Sequence, residues 1–336
     1  MTLKRIRFKA SALLLFPLAL ILFASGSCKK RVFDIIPESE VEKDMSIPGA
    51  GNIKFFAQPS DLVVLAASDT NFIHRSIDGG VTWQKVIISP NSNYRCEGLD
   101  MVDANKGVCL VDGDIYYTTN SGATWTASSG IPYNAVYVGI RRDNNTIIAL
   151  VMNYYDCDIY RSTNNGASFS YYDDFYIVNG DFVTAKVCSS KVFLITEDSY
   201  YYDKIYGYDF TNAQEIFLKL GSYAQGDPND LYVDNLNSGV MVGNGGNIMI
   251  KEYGDYNRDY YMHGLTYNHV DQRGNRIVAV GHHTMTFNRP QGEENWSEIW
   301  HKGNSYVHTF YRVKVIDDNH FLVSGDNGLL WRIKMY

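Results

Sequence analysis

No apolar run in this 336-residue chain is long enough for a comfortable membrane helix. The longest, Ala12 to Ala24, falls short of the roughly 20 residues a span needs. Basic charge is also lacking. The chain carries −7, and setting aside Lys4, Arg5, Arg7 and Lys9 leaves −11 on the remainder. That balance argues against nucleic acid as a partner, which wants a basic surface. Beyond Cys28 only Cys96, Cys109, Cys157 and Cys188 occur, at spacings that match no metal pattern such as C-x-x-C, so neither a metal nor a cofactor is expected. Strand cysteines of this kind read as small buried hydrophobes, and no pairing is assigned. No helix is expected after the first thirty residues.

The N-terminus has the layout of a secretory signal: a basic head, the apolar run, then Ser25, Gly26, Ser27 and Cys28. A cysteine directly after small residues resembles the lipobox of bacterial lipoproteins, although Ser25 stands where that family usually has Leu. The resemblance implies a lipid on Cys28, which becomes the first mature residue and holds the chain on the bacterial cell envelope. Lys29, Lys30 and Arg31 follow, where the acidic export signals of some lineages would sit. The expected location is therefore periplasm-facing rather than on the outer surface.

About 300 remaining residues exceed the usual size of one core unless the fold repeats. Three segments do repeat: Ser76-Ile77-Asp78-Gly79-Gly80-Val81-Thr82-Trp83, Thr118-Thr119-Asn120-Ser121-Gly122-Ala123-Thr124-Trp125 and Ser162-Thr163-Asn164-Asn165-Gly166-Ala167-Ser168-Phe169. Their aromatics are 42 and 44 residues apart. A side-chain oxygen at Asp78, Asn120 or Asn164 can accept N–H groups within its own turn, and Ser76, Thr118 or Ser162 can tie that turn down. Gly80, Gly122 and Gly166 supply a backbone that a side chain would penalise. Three short β-type runs precede each segment and one follows, which is four strands per 40 to 45 residues, the period of a propeller blade.

These segments resemble the Asp-box, or BNR, motif. With the turns Gly243-Asn244-Gly245-Gly246 and Gly325-Asp326-Asn327-Gly328, the repeat is similar to the photosystem II assembly-factor type of propeller. The expected architecture is an all-β β-propeller of seven four-stranded blades, with six or eight as alternatives. The expected division is 1–27 signal peptide, 28–52 lipidated N-terminus and closing strand, and 53–336 propeller. Val32–Ile36 is the expected closing strand, completing a last blade that lacks its fourth strand.

Ligands of propellers of this kind generally bind on the face made by inter-blade loops and by turns between second and third strands. The inter-blade candidates are Tyr94, Arg95, Tyr133, Asp173, Asp174, Tyr223, His301 and His308. The turn candidates are Tyr154, Tyr155, Asp156, Tyr200, Tyr201, Tyr202, His282 and His283. Tyrosine, with 26 copies in the chain, offers apolar area and a polar tip suited to glycan or peptide. His282 and His283 would point to opposite faces of a strand, so they are not expected to chelate. Asp112, Asp114, Asp227 and Asp230 read as turn residues, because neither pair completes a calcium ligand set.

A sialidase-like reading of the boxes requires three convergent arginines and an Arg-Ile-Pro segment. The segment is absent, and Arg95 and Arg312 reach the inner ring without an evident third member. The expectation is a non-catalytic envelope lipoprotein that binds a glycan, peptide or protein partner. An assembly or scaffold factor for a membrane complex is the alternative, and a glycoside hydrolase a more distant one.

Overall fold

Short apolar strands joined by stapled turns can bury both faces only by stacking sheet on sheet, and this is how the chain folds in a computed structural model. It describes residues 39–336 apart from 71, 90–94, 133, 179, 198–203, 220–226, 236–237, 253–254, 262–265, 289–295 and 299–307. Among the described residues the strands form seven four-stranded antiparallel sheets. In chain order the first six are Ile53–Ala57, Val64–Ser68, Phe72–Ser76 and Gln84–Ile87 (β2–β5); Cys96–Met101, Gly107–Val111, Asp114–Thr118 and Thr126–Ala127 (β6–β9); Ala135–Arg141, Thr146–Met152, Asp156–Ser162 and Ser170–Tyr176 (β10–β13); Asp181–Cys188, Lys191–Glu197, Lys204–Asp209 and Gln214–Lys219 (β14–β17); Pro228–Asn235, Ser238–Gly243, Asn247–Glu252 and Asp255–Tyr261 (β18–β21); and Tyr267–Arg273, Arg276–Gly281, Thr284–Asn288 and Trp296–Glu298 (β22–β25). The seventh combines Phe310–Val315, His320–Gly325 and Leu330–Lys334 (β26–β28) with Glu40–Asp44 (β1).

The first strands of successive sheets contact one another in order, and β26 of the last sheet contacts β2 of the first. The fold is thus a closed β-propeller with β2, β6, β10, β14, β18, β22 and β26 around its channel. Second strands are sandwiched between neighbouring sheets, which is why they read as continuous apolar runs. Val64–Ser68 and Gly107–Val111 are buried at every residue. One apolar cluster, for example, joins Leu65, Ala67 and Ile73 of the first sheet to Cys96, Leu99, Met101, Cys109 and Val111 of the second. Each fully buried Val, Ile or Leu there contributes about 1.5–3 kcal/mol. The four cysteines are buried and unbridged. Burial pushes the Cys96 thiol up to about 12 and the Cys188 thiol up to about 11, so both stay protonated and inert.

The ring is closed by an N-terminal strand, Glu40–Asp44, while the expected Val32–Ile36 lies outside the described residues. Glu40–Asp44 pairs antiparallel with β28, Glu40 opposite Lys334 and Asp44 opposite Trp331. Beyond it, the Met45 and Ile47 amides donate to Leu330 O at 2.9 Å and Gly328 O at 2.8 Å. Met45 and Ile47 then enter the apolar layer between last and first sheets with Ile53, Phe56, Val64, Leu322 and Leu330. An outermost strand needs backbone partners rather than apolar side chains, so the polar Glu-Val-Glu-Lys-Asp serves.

The three repeated turns share one set of bonds. Ser76 Oγ donates to Asp78 Oδ1 at 2.7 Å and accepts the Gly80 amide at 2.8 Å, while Asp78 Oδ1 accepts the Thr82 amide at 2.9 Å. Thr118 with Asn120, and Ser162 with Asn164, repeat this, accepting the amides of Gly122 and Thr124, and of Gly166 and Ser168, each at 3.0 Å. The bonds from Thr82 and Ser76 hold the Asp78 carboxyl well below the usual carboxylate range. Gly166, at φ 88°, presses on the previous sheet, where an added Cβ would stand 2.5 Å from Val108 Cγ1. Gly166→Ala is therefore expected to cost about 2 kcal/mol in urea unfolding, through strain and overpacking together. Trp83, Trp125 and Phe169 take equivalent places, each packing against the cluster between its own sheet and the one before.

Candidate functional site

The channel-facing edge of each inner strand has no strand partner, so its polar groups need others. Side chains of the preceding sheet supply them. Asp100 Oδ2 accepts the Ile140 amide at 3.1 Å, Tyr137 Oη the Val187 amide at 3.0 Å, Asp230 Oδ2 the Val270 amide at 2.9 Å and Asp271 Oδ2 the Val315 amide at 2.8 Å. Carbonyls are met in the same way: Asn229 Nδ2 donates to Tyr267 O at 2.8 Å and Asn268 Nδ2 to Phe310 O at 2.7 Å.

A second regularity sits at the start of these strands. In all seven the register slips by one residue at the same place: between Ile53 and Phe55, Cys96 and Gly98, Ala135 and Tyr137, Phe182 and Thr184, Pro228 and Asp230, Tyr267 and His269, and Phe310 and Arg312. Each slip is a β-bulge, a device that re-aims side chains at the rim of a closed sheet. The extra residues are Lys54, Glu97, Val136, Val183, Asn229, Asn268 and Tyr311. They lie at the inter-sheet-loop end of the strands, on the face opposite the stapled turns.

Four of them, Lys54, Asn229, Asn268 and Tyr311, join Phe55, Thr184, Asp230, His269 and Arg312 around a cavity of about 390 Å³ at the channel mouth. Lys54 Nζ sits 3.2 Å from the centre of the Tyr311 ring, and the Arg312 guanidinium carbon 4.2 Å from that of Phe55, both as cation–π contacts. Among the described residues the Arg312 side chain finds no hydrogen-bond partner. Burial pulls its pKa below the usual arginine range, with the Asp230 charge opposing, and burial also lowers Lys54.

Asp230 is the carboxylate of this cavity, and not a turn residue. It lies within β18 with Lys186 Nζ at 3.2 Å and His269 Nε2 at 3.4 Å. Burial raises its pKa, and Lys186 opposes that. His269 Nδ1 accepts the Val313 amide at 3.4 Å, so Nε2 carries the proton given to Asp230. His269 is neutral: burial holds its pKa well below the ordinary value, and the charges of Lys186, Arg312 and Lys314 add to this.

A pH dependence follows from His269 together with His74, whose pKa burial lowers to about 4 with help from Lys85. Both take up protons more readily when unfolded, where the ordinary value is 6.5. Their stabilisation is present above pH 6.5 and is lost as pH falls toward 4. The urea midpoint is expected to drop between pH 7.5 and pH 5, and His74→Phe should shrink the drop. An equal drop in that variant would remove His74 from the explanation.

The tyrosines divide. Tyr154 and Tyr155 are exposed in the β11–β12 turn, their rings 4.5 Å apart edge to face, and Tyr176 is exposed at the end of β13. Asp156 begins β12 opposite Tyr176. Asp173 and Asp174 lie within β13, not in an inter-sheet loop, where they accept the hydroxyls of Tyr208 and Tyr171. Arg95 is exposed just before β6. Tyr94, Tyr133, Tyr200, Tyr201, Tyr202, Tyr223, His301 and Cys28 lie outside the described residues.

His282 and His283 do come together, with ring centres 4.0 Å apart. They occupy the turn after β23, where His283 has φ 59°, so strand alternation does not govern them. The His283 amide donates to His308 O at 3.1 Å, and His308 Nδ1 pairs with Asp326 at 2.8 Å. No cluster of three or more metal-ligating side chains occurs among the described residues.

The channel-mouth cavity escaped the sequence reading apart from Arg312. Its other signal was a buried ionisable residue inside an inner strand, as at Asp230 and His269. Chemically the cavity offers cations, amides and rings, with one carboxylate lining it. Hydrolysis of a glycoside uses two carboxyls flanking the bond, and a sialidase-type site three arginines.

No family model matches the chain, and no curated relative is found. Solved structures do match. YCF48 bound to a D1 peptide shares 13% identity at a TM-score of 0.70, covering 90% of this chain and 98% of that one. YCF48 from Cyanidioschyzon merolae gives 13%, 0.69, 87% and 98%. The WD40 β-propeller domain of Doa1 gives 13%, 0.67, 89% and 98%. At such identity the likeness establishes the β-propeller fold alone.

Proposed function

We propose that this chain is a non-catalytic binding module, a repeat propeller of the Asp-box type, that holds a peptide segment of a protein partner at the mouth of its channel. The observation that carries this reading is the cavity of about 390 Å³ edged by the bulge residues Lys54, Asn229, Asn268 and Tyr311. Its size suits a few side chains rather than a long polymer. A propeller of the same fold with a peptide bound, YCF48 with the D1 peptide, supports peptide over glycan. A panel of immobilised peptides probed with the intact chain tests it. Saturable binding to a subset, lost in Thr184→Trp, which fills the cavity, is expected. Turnover of fluorogenic glycosides abolished by Asp230→Asn would overturn the non-catalytic reading.

Glycan binding is the second reading, favoured by the exposed Tyr154, Tyr155 and Tyr176. It predicts glycan-array signal lost in Tyr154→Ala/Tyr155→Ala and indifferent to Thr184→Trp. Either module would be carried on the envelope by a lipid on Cys28. Cys28→Ser is expected to move the chain from the membrane to the soluble fraction after lysis, and a chain that stays with the membrane would remove the anchor from the proposal.

A further inference from the structure

Two cations, Lys54 and Arg312, line the channel mouth, and the described residues leave both with unused donors. The guanidinium of Arg312 is stacked on Phe55 and makes no hydrogen bond to any described residue. Lys54 rests on the Tyr311 ring. The one carboxylate that lines the cavity with them is engaged through one oxygen: Asp230 Oδ2 takes the Val270 amide, Lys186 Nζ and His269 Nε2. Elsewhere around the channel, comparable cations are satisfied by protein. Lys186, for example, also donates to Val270 O at 2.7 Å. Arg312 departs from that pattern while facing an open cavity.

A partly dehydrated guanidinium without a partner is costly, and an incoming anion removes the cost. Its planar fork matches a carboxylate in bidentate geometry. The amide of Asn268 and the hydroxyl of Thr184 line the same space and can orient the remainder of the ligand.

We propose that the channel mouth is a carboxylate-binding site, in which Arg312 holds the carboxylate and Lys54 adds a second positive charge, with the ring faces of Phe55 and Tyr311 as its walls. This deepens the reading of the mouth as a binding site and rests on it. A carboxylate can arrive on an acidic side chain, on a peptide C-terminus or on a free small acid, and the test separates these sources.

The probe is 4-fluorobenzoate, followed by ¹⁹F NMR against the intact chain. Saturable binding with Kd on the order of 1 mM or tighter is expected. Arg312→Gln should weaken it about tenfold or more, and Lys54→Met about threefold. Arg312→Lys should recover part of the loss, which guards against a folding defect in the glutamine variant. Displacement by amide-capped Gly-Glu-Gly assigns the carboxylate to a side chain. Displacement by Gly-Gly-Gly with a free terminus assigns it to a chain end, and displacement by succinate alone to a free acid. Equal binding of 4-fluorobenzamide or of inorganic phosphate would overturn the proposal, as would 4-fluorobenzoate binding unchanged in Arg312→Gln. Such a failure, with peptide binding still sensitive to Thr184→Trp, would leave the binding module standing and remove only its carboxylate chemistry.

Discussion

Removing residues 37–47 is expected to abolish cooperative unfolding, although every residue from β2 to β28 remains. The deletion strips β1 from β28 and takes Met45 and Ile47 out of the layer between last and first sheets, where they are 1% and 5% exposed. Losing two buried side chains of this size costs about 2–5 kcal/mol each. The stability of a domain is only about 5–15 kcal/mol. The open edge of β28 would then be free to pair with another chain. Circular dichroism on heating, with size-exclusion chromatography, reads both effects. A sharp transition and a monomeric elution profile in the deleted chain would show that the ring holds without its N-terminal strand. Met45→Ala alone should cost about 3 kcal/mol while keeping the transition cooperative.

The second large effect is expected at Asp230. Asp230→Ala leaves the Lys186 ammonium without its carboxylate, and orphans the Val270 amide and the Nε2–H of His269. Breaking a buried pair from one side costs about 3–5 kcal/mol, more than the pair itself contributes. Asp230→Asn keeps an acceptor for the Val270 amide and should cost about 1–2 kcal/mol. Adding Lys186→Ala to Asp230→Ala should return part of the loss, because the stranded charge disappears with it. Urea unfolding of Asp230→Ala, Lys186→Ala alone and their double variant measures the coupling. A double variant as unstable as the sum of the singles would mean that the two side chains act independently.

Both predictions concern features that the amino-acid order shows poorly. Val32–Ile36 reads as a strand because it is mostly apolar, whereas Glu40–Asp44 is charged at four of its five residues. An outermost strand is selected for its backbone bonds, and side-chain hydropathy is a poor guide to those. Asp230, near Asp227, looked like a turn fragment. It is a strand residue whose carboxylate answers an amide 40 positions later, in another sheet. His282 and His283 were separated by a strand rule, yet they occupy a turn.

Local chemistry was legible. The hydroxyl, the Asp or Asn, the glycine and the aromatic of each stapled turn lie within eight consecutive residues, so their bonds involve no distant partner. Second strands such as Thr-Ile-Ile-Ala-Leu-Val-Met showed their double-sided burial as an unbroken apolar run. The four cysteines read correctly as buried apolar groups.

The bulge ring, the channel mouth and the stacking of the Arg312 guanidinium on Phe55 belong to another level. A register slip is a relation between two strands, and a cavity edged by residues 54, 184, 229, 268 and 311 exists only once the ring has closed. Turn geometry and burial pattern are set by neighbours along the chain, and so were written in the order of residues. Which cation is left without a hydrogen-bond partner among the described residues depends on groups brought together from opposite ends of that order, and only the folded ring makes that choice.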